Sequence, residues 1–505
     1  MSTRTAALDR LLAAANADAT TLLRSVQVAL DQGLAQQAEP ILVAATQRYP
    51  LDHRLWQFLG LVRRELQNSE GAHEAFNAAA RLAPSDPLIA HSQARTALEA
   101  GFPAVPLFNR ARQLAPGDGS VALGRIAALY AEGQGELACD QLARLLDDNP
   151  GWIDGHVAFS RFTAQSRPGA AIDATLRRAI ALHPQAGALW QALIQTWMSA
   201  RDYSHTLQIV TEARAALGPD PELDRIEAAC LSELGEAEAA QRLLDRLPAP
   251  TDGENACWFI RNAIRLGRMD QARSLAEASY GGQGERALWP YRALIWRLNG
   301  DPRWEWLEGR QEMIRTFDIR SELASMDELA DLLRALHTGN GQPLDQSVRG
   351  GSQTDGNLLV RGDPVIRRLR SALLDAVHQY VAALPLPEPG HPLLVANRDD
   401  IRIAGSWSVR LSGAGFHADH VHWQGWLSSA FYVVVPEPDP LEPESGWLAF
   451  GECRDVLSDF QAFRTVEPKP GILALFPSTL WHGTRPFGNG ERMTVAYDIA
   501  RPREL

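Results

Sequence analysis

Cysteine is scarce: four in 505 residues, Cys139, Cys230, Cys257 and Cys453, far apart and without a CxxC pair. That pattern supports neither a disulfide framework nor a cysteine-based zinc site, and it suits a reducing compartment. Long apolar runs are missing too, so no segment is fit to span a bilayer. The opening residues place Asp9 and Arg10 where a signal peptide needs an apolar core. A cytoplasmic location is the expectation. A basic excess is also absent, since 49 Lys and Arg face 61 Asp and Glu, for a formal net charge of -12. Such a surface does not attract polyanions, so neither nucleic acid nor an anionic membrane is an expected partner. What remains, 45% hydrophobic and 22% charged residues, is the composition of ordinary globular protein, long enough for two or three domains.

Proline, by contrast, is regular in the first half. Pro50, Pro84, Pro116, Pro150, Pro184 and Pro219 follow one another at gaps of 34, 32, 34, 34 and 35 residues. A period near 34 residues predicts paired-helix repeats, with proline ending the second helix of each pair. The clearest unit spans residues 52–86. Trp56, Leu59 and Gly60 fall on its first helix, Ala72, Phe76 and Ala79 on its second, and Pro84 closes it. These residues resemble the tetratricopeptide pattern position for position, although Arg63 stands where the usual tyrosine would. Ala104, Phe108 and Ala111 repeat the pattern before Pro116, and Trp190, Leu193 and Ala213 repeat it again around Pro184. One pair cannot bury its apolar face alone, so stacked neighbours must form the core. The fold also makes a concave groove for a peptide or protein partner plausible, but no residue names the ligand. Helical patterning continues to about Thr338, with Trp258, Trp289, Trp296, Trp304 and Trp306 dense in its last part.

The texture changes near Gly339. The run GNGQPLDQSVRGGSQTDGNL reads as a loop, either a linker or an active-site loop presenting Arg349, Gln353 and Thr354. A helix follows over about 364–384, its stripe made by Ile366, Leu369, Leu373, Val377 and Val381. From Ile401 onward, IRIAGSWSVRL, WLSSAFYVVV, GWLAFGE, GILALFP and MTVAYDI are short β runs bounded by Gly, Pro and Asn. They predict a sandwich or barrel. The resulting division is a repeat array over 1–310, a helical and loop connector over 311–395, and a β core over 396–505.

Three of the β region's four histidines sit within six residues, HADHVH from His417 to His422, and the fourth is His482. A non-haem iron centre needs three protein ligands on one side and open positions on the other. Residues i and i+2 share a strand face, so His417 with Asp419, or His420 with His422, can supply two of them, and His482 suits the distal ligand in either case. Arg492 lies ten residues after His482 and can hold a carboxylate bidentately. Thr494 at i+2 faces the same way and can add a hydroxyl. Ser408, on the preceding strand, is a further candidate contact for the co-substrate.

GFHADHVHWQGWLSSAFYV, WLAFGE, GILALFPSTLWHGTRPF and ERMTVAYDI, in that order, resemble the 2-oxoglutarate/iron(II) oxygenase family that often follows tetratricopeptide repeats in bacterial proteins. RGGSQT and GSWSVRL extend the likeness, which covers roughly 336–502. The resemblance implies a double-stranded β-helix, or jelly-roll, behind an α-solenoid of tetratricopeptide-like repeats. It implies Fe(II) and 2-oxoglutarate, dioxygen as second co-substrate, and succinate and carbon dioxide as co-products, with no catalytic residue beyond the metal centre. In that family the residue matching Asp419 is frequently Asn while the His-x-His persists. The resemblance therefore favours His420 and His482 as ligands, with His422 third or just behind; His417 and Asp419 remain the alternative pair. The expected activity is hydroxylation of a protein, peptide or peptide-like substrate, with the repeats binding substrate or partner. The alternatives are an oxygenase of a small metabolite, with the repeats serving assembly, and a repeat scaffold whose β domain is inert.

Overall fold

The computed structural model describes residues 3–339, 341–344, 346–437 and 440–503. It divides into two compact units, Met1–Leu142 with Gly356–Arg367, and Ala143–Asp355 with Arg368–Leu505.

The first unit is built from helix pairs. Aspartates at a repeat-length spacing start the helices. Asp18, Asp52, Asp86 and Asp118 precede Ala19–Asp31, His53–Glu65, Pro87–Ala100 and Gly119–Ala131, and each accepts from backbone N–H groups of the first turn. Each cap satisfies donors that the helix cannot, a contribution of about 1 kcal/mol. Helix contact is set by small residues facing large ones. A Cβ on Gly60 would meet the Phe76 ring at 2.6 Å, so only glycine lets these two helices close. Leu59, Ala72, Phe76 and Ala79 are all buried, as are Ala104, Phe108 and Ala111 one repeat later.

The repeats continue into the second unit. His156 Nε2 lies 3.0 Å from the Pro150 carbonyl, and Trp190 Nε1 donates to that of Pro184 at 2.9 Å. Trp56 makes the same bond to Pro50 in the first unit, at 3.0 Å. The repeating proline therefore leaves a free carbonyl that a ring six residues on recurrently fills. Asp220 and Asp252 cap Pro221–Glu233 and Gly253–Arg265. The chain is thus an α-solenoid of tetratricopeptide-like pairs followed by an antiparallel jelly-roll.

Among the described residues nine strands form the sheet: β1 (Arg315–Asp318), β2 (Val348–Gln353), β3 (Ile403–His420), β4 (Gly425–Val434), β5 (Leu448–Phe450), β6 (Arg464–Val466), β7 (Ile472–Pro477), β8 (His482–Thr484) and β9 (Glu491–Ala500). The order is β1-β7-β4-β9-β3-β8-β5-β6, with β2 beside β3, and all pairs are antiparallel. β3 joins the two halves: residues 403–412 pair with β9 and residues 417–420 with β8. Between the halves lie Ile314, Leu448, Phe450, Ala474, Phe476 and Leu480.

Two strands stand where the sequence pattern predicts something else. β1 falls in a stretch expected to be helical, but Ile314, Thr316 and Phe317 favour a pleated edge and β7 offers one. β2 falls in the glycine-rich run expected to be loop, where β3 supplies a partner and glycines allow a register shift between Arg349 and Gly351. Asn340 and Asp345 of that run lie outside the described residues.

In the second unit the last repeats and the β region share one core. Ile260, Ile264, Leu288, Tyr291, Cys453 and Trp481 belong to a single buried cluster. Trp481 packs edge-on against Tyr291 at 5.8 Å and donates to the Pro290 carbonyl at 3.2 Å. Arg265 donates to the Asp455 carbonyl at 2.6 Å, and Arg201 pairs with the Asp455 carboxylate at 2.7 Å. The four cysteines are free thiols. No helix among the described residues is long and apolar enough to cross a membrane.

Candidate functional site

β3 ends on His420, β8 begins on His482, and the two residues are direct register partners. His422 lies two residues past the end of β3. Ring centroids are 4.3 Å apart for His420 and His482, 4.9 Å for His420 and His422, and 5.3 Å for His422 and His482. One nitrogen from each lies within 4.8 Å of the others, so the three could share one metal ion.

Their hydrogen bonds prepare them for it. His420 Nδ1 lies 2.8 Å from the Ala418 carbonyl, and His482 Nδ1 lies 2.9 Å from that of Leu480. A carbonyl only accepts, so each Nδ1 carries the hydrogen and each Nε2 keeps its lone pair. His422 Nδ1 lies 2.6 Å from Asp498 Oδ2, the arrangement in which a carboxylate orients a metal-binding imidazole. Ser428 donates to the other Asp498 oxygen at 2.7 Å. Burial, with the other histidines adding to it, drives His420 down to about 3 and His482 well below its ordinary value. Both are therefore neutral, the form a cation needs. Burial also acts against charge on His422, but Asp498 outweighs it and the pKa rises. The rings are braced by Trp407, stacked 5.8 Å from His422, and by Phe476, edge-on 4.7 Å from His482.

The alternative first-strand pair is not brought together in this way. Between His417 and His420 the register of β3 against β8 slips, because β3 spends three residues where β8 spends two. Asp419 is committed elsewhere, to Arg454. Its carboxylate takes both Arg454 Nε and Nη2 at 2.7 Å and the Arg454 backbone N–H at 2.9 Å, with the side chain 1% exposed. A Cβ at position 483 would lie 2.2 Å from an Asp419 oxygen, so the glycine after His482 makes room for this pair. His417 does face the cavity. Its Nδ1 lies 3.0 Å from Ser347 Oγ, which is also 3.3 Å from His420 Nε2.

Arg492 and Thr494 stand on β9 with their side chains toward the same cavity, which also takes in His417, His420, His422 and His482 and has a volume of about 680 Å³. Arg492 is 2% exposed, its guanidinium carbon 5.3 Å from the Tyr432 ring. Arg492 Nε meets no strict hydrogen-bond geometry among the described residues, and the Tyr432 hydroxyl is the polar group beside the guanidinium. Burial lowers the Arg492 pKa, and the neighbouring Tyr432 phenol partly offsets it. A buried cation without a counter-charge is costly, and a bound carboxylate relieves that cost. The cavity thus holds, with the histidine cluster, a cationic donor suited to a carboxylate. Ser408 is not part of this arrangement: its hydroxyl bonds His337 Nε2 at 3.0 Å on the opposite face of β3. Of the glycine-rich run, Gln346, Ser347 and Gln353 line the cavity, while Thr354 receives the Ser408 backbone N–H at 2.9 Å. Arg349 donates to the Gln346 and Val348 carbonyls at 2.9 and 2.7 Å.

Asp498, Tyr432, Ser347 and Trp407 were not singled out by sequence reasoning. For Asp498 a signal existed, because Arg492, Thr494, Ala496 and Asp498 alternate along one strand face.

Residues 405–498 match the model of the family described as "Putative 2OG-Fe(II) oxygenase". That span contains the four histidines, Arg492, Thr494 and Asp498. Among solved structures, a prolyl-4-hydroxylase from Pseudomonas putida is 17% identical over 38% of this chain and 95% of its own, with a TM-score of 0.26. HygX from Streptomyces hygroscopicus, with nickel and 2-oxoglutarate bound, is 15% identical over 38% of this chain and 86% of its own, with a TM-score of 0.26. A tetratricopeptide repeat protein from Parabacteroides merdae is 15% identical over 48% of this chain and 92% of its own, with a TM-score of 0.30. No curated protein matches the chain.

Proposed function

We propose that this protein is an iron(II)- and 2-oxoglutarate-dependent dioxygenase that hydroxylates a protein, peptide or peptide-like substrate. One observation carries the reading: a buried cluster of three imidazoles, close enough to share one ion, lines a cavity with a buried guanidinium that has no carboxylate partner among the described residues. Neither feature stabilises the fold by itself, and each calls for a ligand.

In this reading His420, His422 and His482 hold the iron. Arg492 takes the far carboxylate of 2-oxoglutarate, with hydroxyls from Thr494 and Tyr432 beside it. Bound iron supplies the redox chemistry, by which one oxygen atom of dioxygen enters a substrate C–H bond to give C–OH and the other enters 2-oxoglutarate as it becomes succinate and carbon dioxide. The protein's part is placement. Asp498 fixes the His422 tautomer and puts a negative charge one residue behind the donor set, where other centres use a carboxylate ligand directly. Burial of Arg492 strengthens its hold on an anion, because few waters compete. The Arg454–Asp419 pair locks the turn of β3 that aims His420. The proposed division of the chain is a repeat array over 1–310, a connector over 311–395 that also lends β1 and β2 to the sheet, and an oxygenase core over 396–505.

The test is equilibrium dialysis of labelled 2-oxoglutarate under argon. One equivalent per chain bound only when iron(II) is present supports the reading. Absence of metal-dependent binding in folded protein contradicts it.

A further inference from the structure

The catalytic cavity has a second wall. Opposite the β strands it is lined by Gln191, Ile194, Gln195 and Met198 of helix Gly187–Ser199, by Ile226 of Pro221–Glu233, and by Trp258 of Gly253–Arg265. These are the first helices of three successive repeats, and both walls belong to the same compact unit. The shared core beneath Trp481 and the Arg201 and Arg265 bonds to Asp455 fix the repeats against the β region, so this wall is built in.

We infer that this repeat face is the substrate-selecting wall and that it takes an extended, uncharged polypeptide segment, whose side chain it lowers toward His420, His422 and His482. The inference rests on the oxygenase reading and specifies its substrate class. Three features of the wall carry it. The first is its polar chemistry. Its charged groups are spoken for, Arg201 by Asp455 and Glu222 by Arg225, which leaves amides and hydroxyls. Gln191 and Gln195 are exposed on this wall, and Gln346 and Gln353 lie across from them. An amide both donates and accepts, as every peptide unit does. A phosphorylated or cationic metabolite would instead call for unpaired charge of opposite sign.

The second is spacing. Gln191 and Gln195 are one helical turn apart, a rise of about 6 Å, and an extended chain presents the same edge every second residue, about 6.6 Å. Both amides can therefore address one edge of one strand-like segment. The third is the apolar surface of the same wall. Met198, Ile226 and Trp258 offer apolar contact for alternate side chains, and methionine adapts to varied shapes. A cavity of about 680 Å³ is within the range that encloses whole ligands, and the repeat face lets the segment run on past it.

The experiment uses the full chain loaded with nickel(II) and 2-oxoglutarate, which fill the site without turnover. A phage-displayed random dodecapeptide library is selected on it, and enriched peptides are measured by fluorescence anisotropy on wild type, Gln191→Ala/Gln195→Ala and Trp258→Leu. The glutamines sit on an exposed helix face where alanine is a good helix former, and circular dichroism checks each variant's fold. The expected result is enrichment of peptides with few charges, and binding roughly 10- to 30-fold weaker in the glutamine double variant, the loss of one to two ordinary hydrogen bonds. No enrichment over the uncoated support, or enriched peptides that bind the folded glutamine variant as tightly as wild type, would overturn the inference. Iron and 2-oxoglutarate titration separates the two claims. A chelating centre without peptide binding leaves an oxygenase of another substrate class, and peptide binding without chelation leaves the groove and removes the oxygenase.

Discussion

Replacing Asp498 by asparagine removes one charge and almost no volume. In the wild type Asp498 accepts from His422 Nδ1 at 2.6 Å and from Ser428 at 2.7 Å. Asparagine can still accept from His422 if its amide nitrogen turns to Ser428, because Ser428 Oγ has Ser478 Oγ 3.0 Å away as another partner. The imidazole then keeps its tautomer and loses only the carboxylate behind it. Alanine removes orientation as well. Loss of such a partner typically lowers metal affinity 10- to 100-fold, about 1.4 to 2.7 kcal/mol. Asparagine should fall at the small end of that range and alanine at the large end. The pH dependence carries a sign of its own. Asp498 raises the His422 pKa against the effect of burial, so in wild type a proton competes with metal from a higher pH. The variants lose that competition, and the gap between wild type and Asp498→Asn should narrow as pH falls from 8 to 6. The assay is anaerobic iron(II) titration with a competing chelator at both pH values. Equal affinities for wild type and folded Asp498→Ala at pH 8 would refute the assignment of His422 to the metal.

Asp419→Asn should leave iron stoichiometry at one per chain, as metal analysis of the purified variant will show, because the Asp419 carboxylate is held by Arg454. Arg454→Ala should instead destabilise the fold by about 3–5 kcal/mol, read as a lower denaturant midpoint, because it strands a buried carboxylate. Arg492→Ala should weaken 2-oxoglutarate roughly 10- to 150-fold by dialysis while iron binding without 2-oxoglutarate stays within a few-fold, since a hydrogen bond to a charged group contributes about 1.5–3 kcal/mol. Burial lowers both His337 and His391 to about 4. The unfolded chain takes up these protons below about pH 6.5 and the folded chain does so only near 4, so stability should fall as pH drops through that window, by up to about 3 kcal/mol for each group. The thermal midpoint followed from pH 7 to 4 should decline less steeply in His337→Gln.

The repeats were legible because their signals are local. Proline spacing and the Gly60–Phe76 match lie within one period, and they imply the same helix pairing that the structure has. The β strands after Ile401 were legible from alternation, and the β9 cation from its distance to His482. What escaped depends on partners far along the chain. β1 is a strand because β7, more than 150 residues later, offers an edge to it. Asp498 meets His422 across 76 residues. The His417-x-Asp419 alternative rests on the i, i+2 rule, which holds in a regular strand, and β3 is irregular between His417 and His420. Ser408 was a candidate only by its strand, which does not say which face a residue takes, and its hydroxyl bonds His337. The core shared by Trp481 and the last repeats was invisible for the opposite reason, since apolar residues do not announce which neighbour they cover.

The central claim is that His420, His422 and His482 with Arg492 form one iron and 2-oxoglutarate site. Anaerobic addition of iron(II) and 2-oxoglutarate to the full chain, followed by visible absorption, tests it most directly. Wild type and Asp419→Asn should give the weak charge-transfer band of the iron–2-oxoglutarate chelate, His482→Ala no band, and Arg492→Ala a band only at much higher 2-oxoglutarate. Folded wild type that gives no band, or His482→Ala that gives one of full strength, would contradict it.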